Sequence, residues 1–484
     1  MATMKTPGVY IQEQNAFPNA LVEVATGVPA FIGYTQQAVH AGRSVQNQPV
    51  RIASLAEFEQ CFGGPPRPRF SVAAAVPQPP VDALGPPGQV TGFRLGQGHF
   101  ELRQAAGRAG GRYLLALSMR HFFANGGGSC FVVSVGSYED EPAPGPLMAG
   151  LATLLQEQEP TLVLSPDAVL LGQADCAAVQ QAVVQHCGAD MRNRMAILDV
   201  WGGAHGRDRP GFDCIDAFRN SLGNSHLDFA VAYTPWLHTS MVQPGDVDTS
   251  AFGVGVSLQE VCLSLLAQAG EPAEPVAAHA LAENLLKLAA EQLNLLPPSA
   301  AMAGVYTLVD STRGVWKAPA NVGLARVLRP AVDISHAGQE DLNVSTQGKS
   351  INAIRNFVGE GVLVWGARTL DGNSLDWRYV NVRRTVIMLE QSCLLAARAL
   401  VFEPNVANTW VTVKAMISNF LFGIWKRGGL AGAQPQDAFS VHVGLGETMT
   451  QQDILDGVLV VTVMVALTRP AEFIEITFRQ QLKS

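Results

Sequence analysis

The sequence predicts a multidomain fold of mixed α/β and α+β type, on three observations. Between about residues 136 and 295, apolar runs such as PTLVLSP, RMAILDV and LDFAVAYTP alternate with helical segments such as CAAVQQAVVQHC. Strands spaced by helices predict parallel βαβ packing. From 382 to 427 the pattern changes to two long helical stripes, and strand signals follow at 438–443 and 457–468. Last, RPAEFIEITF at 469–478 alternates like a strand, yet only a polar tail follows it and no turn brings it to a partner.

Taken in order, GVYIQEQ and VPAFIGYT read as a short strand and a longer, more apolar one. SLAEFEQCFGG is a short helix: Ser54 caps it, Glu57 sits three residues on, and Gly63-Gly64 stops it. Residues 65–111 are rich in Pro and Gly without periodicity, so they read as an exposed insertion rather than a packed element. YLLALSMRHFFANGGGSCFVVSV reads as helix, glycine turn, strand, and VAAHALAENLLKLAAEQL as a helix ended by Pro297-Pro298. In the C-terminal third, Val382, Val386, Leu389, Cys393, Ala396 and Leu400 recur at helical steps. So do Val406, Trp410, Val413, Ile417, Phe420 and Ile424. EPN at 403–405 breaks between the two stripes and Gly428-Gly429 ends the second, which predicts a helical hairpin. Arg383, Arg384, Arg398, Lys414, Lys426 and Arg427 fall off the stripes, where charges ordinarily meet solvent.

At 484 residues and 51.5 kDa the chain can bury sizeable cores. Apolar residues make up 48% and charged residues 15%, a balance that suits large packed domains or surface covered by other subunits. A net charge of −8 argues against nucleic acid as a direct partner. MATMKTPGVYIQEQ lacks the basic and apolar regions of a signal peptide. The longest apolar run, GVLVVTVMVAL from Gly457, is about half of what a membrane span needs, so no direct membrane partner is expected. Seven cysteines, at 61, 130, 176, 187, 214, 262 and 393, form no CxxC, the pattern of reduced thiols made in a cytosol.

Three stretches imitate chemistry. Gly348-Lys349-Ser350 ends like a phosphate loop, but Asn343 stands where the motif needs its first glycine, so an ordinary loop is the better reading. His186 and Cys187, with Cys176 a helical stretch earlier, make one weak cluster where a zinc site needs two close ligand pairs. The loop at 199–213, WGGAHGRDRPGFD after MAILDV, stands where an α/β enzyme would place its site, and an enzyme built there is the rival reading. No nucleophile elbow, HExxH or GxGxxG accompanies it. Catalytic, cofactor-binding and metal-binding residues are all expected to be absent.

Beyond these patterns, several segments resemble one family in collinear order, the contractile tail sheath proteins of myophages and phage-tail-like contractile injection systems. They are TPGVYIQEQ, YLLALSMRHFFANGGGSCFVVSV, PPSAAMAGVYTLVDSTRGVWKAPAN (297–321) and FVGEGVLVWGARTLDGNSLDWRYVNVRR (357–384). LVFEPN, NFLFGIWKRGGLAGAQPQDAF and RPAEFIEITF continue the match. The resemblance covers about residues 5–64, 112–135 and 296–479; the insertion at 65–111 is not a general family feature.

The resemblance implies a structural subunit that forms hexameric rings stacked into a helical sheath around an inner tube. It implies baseplate and tail-terminator or cap proteins as further partners. Such a subunit is made in the bacterial cytoplasm and becomes part of a virion or of a particle released from the cell. The implied organisation is an N-terminal linker arm (1–20), a middle domain (21–64 and 296–365), the insertion (65–111), an outer α/β domain (112–295), an inner domain (366–468) and a C-terminal linker strand (469–484). The inner α+β domain would pair the helical hairpin with a small sheet completed by strands from neighbouring subunits. Gly8, Val9, Tyr10 and Ile11, with Phe473, Ile474, Ile476 and Phe478, would be donated. Phe439, Val441, Val443, Val458 and Val460 would accept them. The exposed charges Lys414, Lys426, Arg427, Arg383, Arg384 and Arg398 become candidates for the face toward the tube.

Overall fold

The apolar runs of the sequence are the strands of one nine-stranded sheet. The computed structural model describes residues 21–75, 90–105, 111–207, 212–253 and 255–473. In chain order the sheet contains β1 (Pro29–Thr35), β2 (Val50–Ile52), β6 (Cys130–Ser137), β7 (Leu162–Leu164), β8 (Met195–Asp199), β9 (Ala230–Thr234), β10 (Val322–Gly323), β11 (Asn352–Phe357) and β12 (Gly361–Trp365). Three strands between β2 and β6 belong to another sheet: β3 (Phe70–Ala74), β4 (Val90–Leu95) and β5 (Gly98–Gln104). The large sheet runs β10-β12-β11-β9-β8-β7-β1-β6-β2. From β11 to β6 the neighbours are parallel; β2 is an antiparallel edge at one end, and β12 and β10 follow antiparallel at the other. Every residue of β1, β7, β8 and β9 is buried, as central parallel strands covered on both faces require.

Helices α1 (Leu55–Phe62), α2 (Leu115–Ala124), α3 (Gln173–Gln185) and α4 (Cys214–Ser221) precede α5 (Leu258–Ala269) and α6 (Pro275–Leu293), which are followed by α7 (Ser299–Arg313) and α8 (His336–Asn343). Ser54 caps α1 as expected, accepting from the Glu57 amide. α7 is rich in alanine and is buried from Ser299 to Tyr306, so it can lie close to β8 and α2. Within this core Tyr306 and Tyr233 share a 2.7 Å hydroxyl contact. The sequence reading set 21–64 and 296–365 apart from 112–295 as middle and outer domains. A single sheet joins them, because β1 pairs with β6 and β7, and β9 pairs with β11.

The insertion is not a bare loop, and that expectation is corrected. Strands β3, β5 and β4 form an antiparallel sheet with its own core. Phe70, Phe100 and Leu102 pack there with Phe252, Leu258, Leu265, Leu281 and Leu285 from 252 and the two helices α5 and α6. The prolines of 65–111 hid this, because most of the partner surface comes from residues almost two hundred positions later. Replacing 65–111 by a short Gly/Ser linker therefore uncovers that core. Each large side chain lost from it costs about 2–5 kcal/mol. The expected result is an aggregation-prone protein with an earlier melting step, read by thermal scanning and size-exclusion chromatography; an unchanged melt and elution would contradict it.

By contact density the chain divides into two units: residues 25–388 with 469–484, here the sheet unit, and residues 1–24 with 389–468, here the hairpin unit. The boundary falls inside one helix, α9 (Val380–Arg398), rather than at residue 366. The hairpin unit holds the second half of α9, then α10 (Ala407–Lys426), β13 (Phe439–His442) and β14 (Thr462–Val465). Val413, Met416, Ile417, Leu421 and Ile424 bury one face of α10, and α10 packs on β13. The break at Glu403-Pro404-Asn405 lies between the two helices, as the sequence required.

Candidate interaction surfaces

β13 and β14 pair antiparallel from Phe439–Val465 to His442–Thr462, and among the described residues no other strand joins them. A two-stranded ribbon is marginal by itself and offers two rows of unpaired backbone groups. Two of its exposed residues are apolar, Met464 at 55% and Val463 at 37% exposure. Of the predicted acceptors, Phe439 and Val441 lie in β13 and Val443 follows it, with Val441 and Val443 buried. Val458 and Val460 are not in a strand, which corrects the 457–468 assignment. Asn405 donates to the Val458 carbonyl and Thr448 to that of Val460, so both carbonyls are committed to loops before the ladder begins at Thr462.

Gly8, Val9, Tyr10, Ile11, Ile474, Ile476 and Phe478 lie outside the described residues. Phe473 is described, and it is 76% exposed and not in a strand. Residues 21–24 belong to the hairpin unit, where the Val24 amide donates to Ser392 and Glu23 pairs with Arg427.

Arg383 and Arg384 are corrected outright as candidates for a tube-facing surface, for both are buried in the sheet unit. Arg384 makes a two-pronged ion pair with buried Asp310, donates to the Thr26 carbonyl and lies over the Tyr306 ring. Arg383 pairs with Asp228 at 3.0 Å and is sandwiched between Phe229 and Trp377. Their planar, delocalised charge suits such stacking. Counting basic residues on a helix cannot distinguish a solvated cation from a paired one. Arg398, Lys414, Lys426 and Arg427 are exposed; Lys414 approaches Glu447 at 3.9 Å. Around the 399–406 connection the exposed side chains are instead apolar. Phe402 is fully exposed, and Leu394, Leu395, Val401, Val406 and Val411 are each at least 48% exposed. Large apolar side chains exposed in such number are uncommon on a surface that meets only water.

The three imitations of chemistry resolve as structural parts. Lys349 is buried, and its ammonium donates to the Arg219 carbonyl. His186, Cys176 and Cys187 are buried; burial, then nearby Arg194, pushes the His186 imidazole down to about 4. In the 199–213 loop, Trp201 donates to the Leu171 carbonyl and packs on Phe212. Arg207 pairs with Asp213 and Asp341, while Asp213 caps α4. The crevice where the strand order reverses, between β1 and β7, is where a doubly wound sheet takes a ligand. Here the buried turn Pro166–Leu170 fills it. The Asp167 carboxylate accepts from the Tyr34 and Leu114 amides, and burial raises its pKa to about 6 against the pull of those bonds. Gly33 must be glycine, since a Cβ would stand 2.5 Å from that carboxylate. Asp199, at the end of β8, is spent in the same way: it accepts from the Ser299 amide and hydroxyl at the start of α7, and burial raises it to about 7. A cavity of about 650 Å³ lies elsewhere, between Pro65–Arg69, the start of α2 and residues 246–255, and its lining holds neither Cys nor His.

The two-stranded ribbon and the exposed apolar side chains leave surface open to another chain, while the switch point is filled by the chain itself. Residues 373–481 match the model of the phage tail sheath C-terminal domain. Over 187 residues, 38% of this chain, it is 25% identical to the tail sheath protein of Vibrio phage KVP40 and spans about a quarter (26%) of that relative's length. Solved structures are similar over the whole chain. One is from the six-fold symmetrised baseplate of the anti-feeding prophage, with 27% identity, TM-score 0.61, and 99% of this chain and 100% of that one covered. Another is from the contracted helical sheath of the same prophage, with 27% identity, TM-score 0.62 and the same coverage. A third is the PVC sheath complex of an extracellular contractile injection system in its contracted state, with 27% identity, TM-score 0.59 and 99% of both chains covered. The chain is thus similar to contractile tail sheath proteins, in its C-terminal domain by family and along its whole length by fold.

Proposed function

We propose that the chain polymerises as stacked hexameric rings around an inner tube and contracts to drive the tube through a target envelope. The observation that carries this reading is the open β13–β14 ribbon, in a chain similar end to end to subunits of such assemblies. The six-fold symmetry of the anti-feeding prophage baseplate supports the ring size. Strands donated by neighbours, Gly8–Ile11 from one and Ile474–Phe478 from another, extend the ribbon by main-chain hydrogen bonds, with alternate side chains giving register. Contraction is then a sliding of subunits joined by these strands, driven by new interfaces between subunits rather than by nucleotide hydrolysis.

The tube grip falls to the exposed part of the α9–α10 region. Arg398, Lys414 and Lys426 are its cations, Arg427 is held by Glu23, and the apolar patch around Phe402 is the covered centre. Exposed ion pairs worth about 0.2–1 kcal/mol each can hold in number and still release. Baseplate and cap proteins bound the two ends. The subunit is made in the bacterial cytoplasm and works in the assembled particle. Negative-stain microscopy of the purified protein tests the reading: long striated tubes support it, whereas discrete particles of fixed small size at all concentrations would favour an enzyme with its site in the 199–213 loop.

A further inference from the structure

We propose that Glu472 anchors the C-terminal arm to its own subunit. Its carboxylate sits in a socket made by three separate parts of the sheet unit. Arg368, after β12, donates Nε to Oε1 at 3.0 Å and Nη2 to Oε2 at 2.6 Å. Asn343, at the end of α8, donates Nδ2 to Oε1 at 2.8 Å, and the Tyr379 hydroxyl reaches Oε2 at 3.0 Å. Such two-pronged, charge-assisted bonds are the strongest a side chain makes. Burial by itself would raise this carboxyl, but the bonds from Arg368 and Asn343 outweigh it and hold it below its usual range.

The socket is held in place by the fold around it. Arg368 is only 3% exposed. Its backbone amide donates to Asn352 Oδ1 and its carbonyl accepts from Asn352 Nδ2, both at 2.8 Å, while its Nη1 holds the Asn343 carbonyl. Asn352 opens β11, so the guanidinium is fixed from the central sheet before Glu472 arrives. Among the described residues the flanking chain is held far less. Arg469 reaches Asp376 at 3.8 Å with both side chains largely exposed, and Phe473 is mostly exposed. One carboxylate thus sets where the chain leaves the sheet unit. The inference builds on the strand-donation reading. If residues beyond Phe473 are handed to a neighbour, pull on that strand enters the donor through Glu472 and Arg368 and reaches β11. It does not have to be borne by the thin β13–β14 ribbon.

The test uses full-length Glu472→Gln, which keeps the side chain's shape, and Glu472→Ala. Hydrogen exchange over residues 466–473 is read before assembly, the melting curve checks folding, and microscopy follows tube formation. The expected result is exchange faster by roughly tenfold or more in Glu472→Ala. Glu472→Gln, whose side-chain oxygen still accepts, should show a smaller increase. Both variants leave Arg368 less well paired and should lower the melt, Ala more than Gln, while the chain still folds and gives fewer or shorter tubes. Unchanged exchange in both variants overturns the anchor. Faster exchange with tubes of normal number and length shows that the contact is local only, and overturns its part in assembly. A chain ending at Phe473 is run alongside: if it assembles normally while the Glu472 variants exchange faster, strand donation is what fails and the socket stands.

Discussion

A chain that ends at Phe473 is expected to fold as the full-length protein does and to form no tubes. The two units keep their cores and Glu472 keeps its socket, so the melting curve should not move. What is lost is the material that would close the ribbon. A strand of about five residues supplies several backbone hydrogen bonds, each worth about 0.5–1.5 kcal/mol net. Burying Ile474, Ile476 and Phe478 would add about 1.5–3 kcal/mol apiece. Since about 1.4 kcal/mol is a factor of ten in an equilibrium constant, losing this at every joint lowers association by several orders of magnitude. Sedimentation and negative-stain images of the truncated chain check it; tubes of normal length would refute strand donation.

Asp310→Ala should destabilise the sheet unit by about 3–5 kcal/mol, because it strands a buried guanidinium. Arg384 and Asp310 are 4% and 5% exposed, and among the described residues the Thr26 carbonyl and the Tyr306 ring are what remain to the cation once the carboxylate is gone. Replacing both partners by apolar residues of similar volume, Asp310→Leu with Arg384→Met, should recover most of the loss. Urea unfolding of the single and double variants measures the difference. Equal loss in both would place the effect in packing rather than in charge.

What could be read from the sequence follows from how far apart the partners lie. β1, β6, β7, β8 and β9 announce themselves because both faces are buried, leaving uninterrupted apolar runs. The cap at Ser54 and the break at Glu403-Pro404-Asn405 are local chemistry and were equally legible. The small sheet β3–β4–β5 was not, since its strands are largely exposed, Pro-rich at the margins and packed on the distant helices α5 and α6. Arg384 shows the limit for charges: its partner Asp310 is on another helix, and only the fold brings them together. Glu472 is harder still, for Arg368, 104 positions earlier, is its main partner. The alternation without a turn at 469–478 was legible by its pattern alone, whereas the exposed apolar side chains around Phe402 became visible only with the fold.

The cysteines bear on how long an assembled particle keeps. Six of the seven are buried and the seventh, Cys393, is half-buried. Burial pushes every one of these thiols up, Cys187 to about 12 and Cys214, Cys262 and Cys393 to about 11. Oxidation proceeds through the thiolate, which such groups scarcely populate near neutrality. In a polymer one reactive thiol per subunit would recur at every lattice position, and a few chance disulfides would weld neighbours that have to move. If the chain assembles as proposed, thiols kept inside each subunit would leave the moving joints free of such welds.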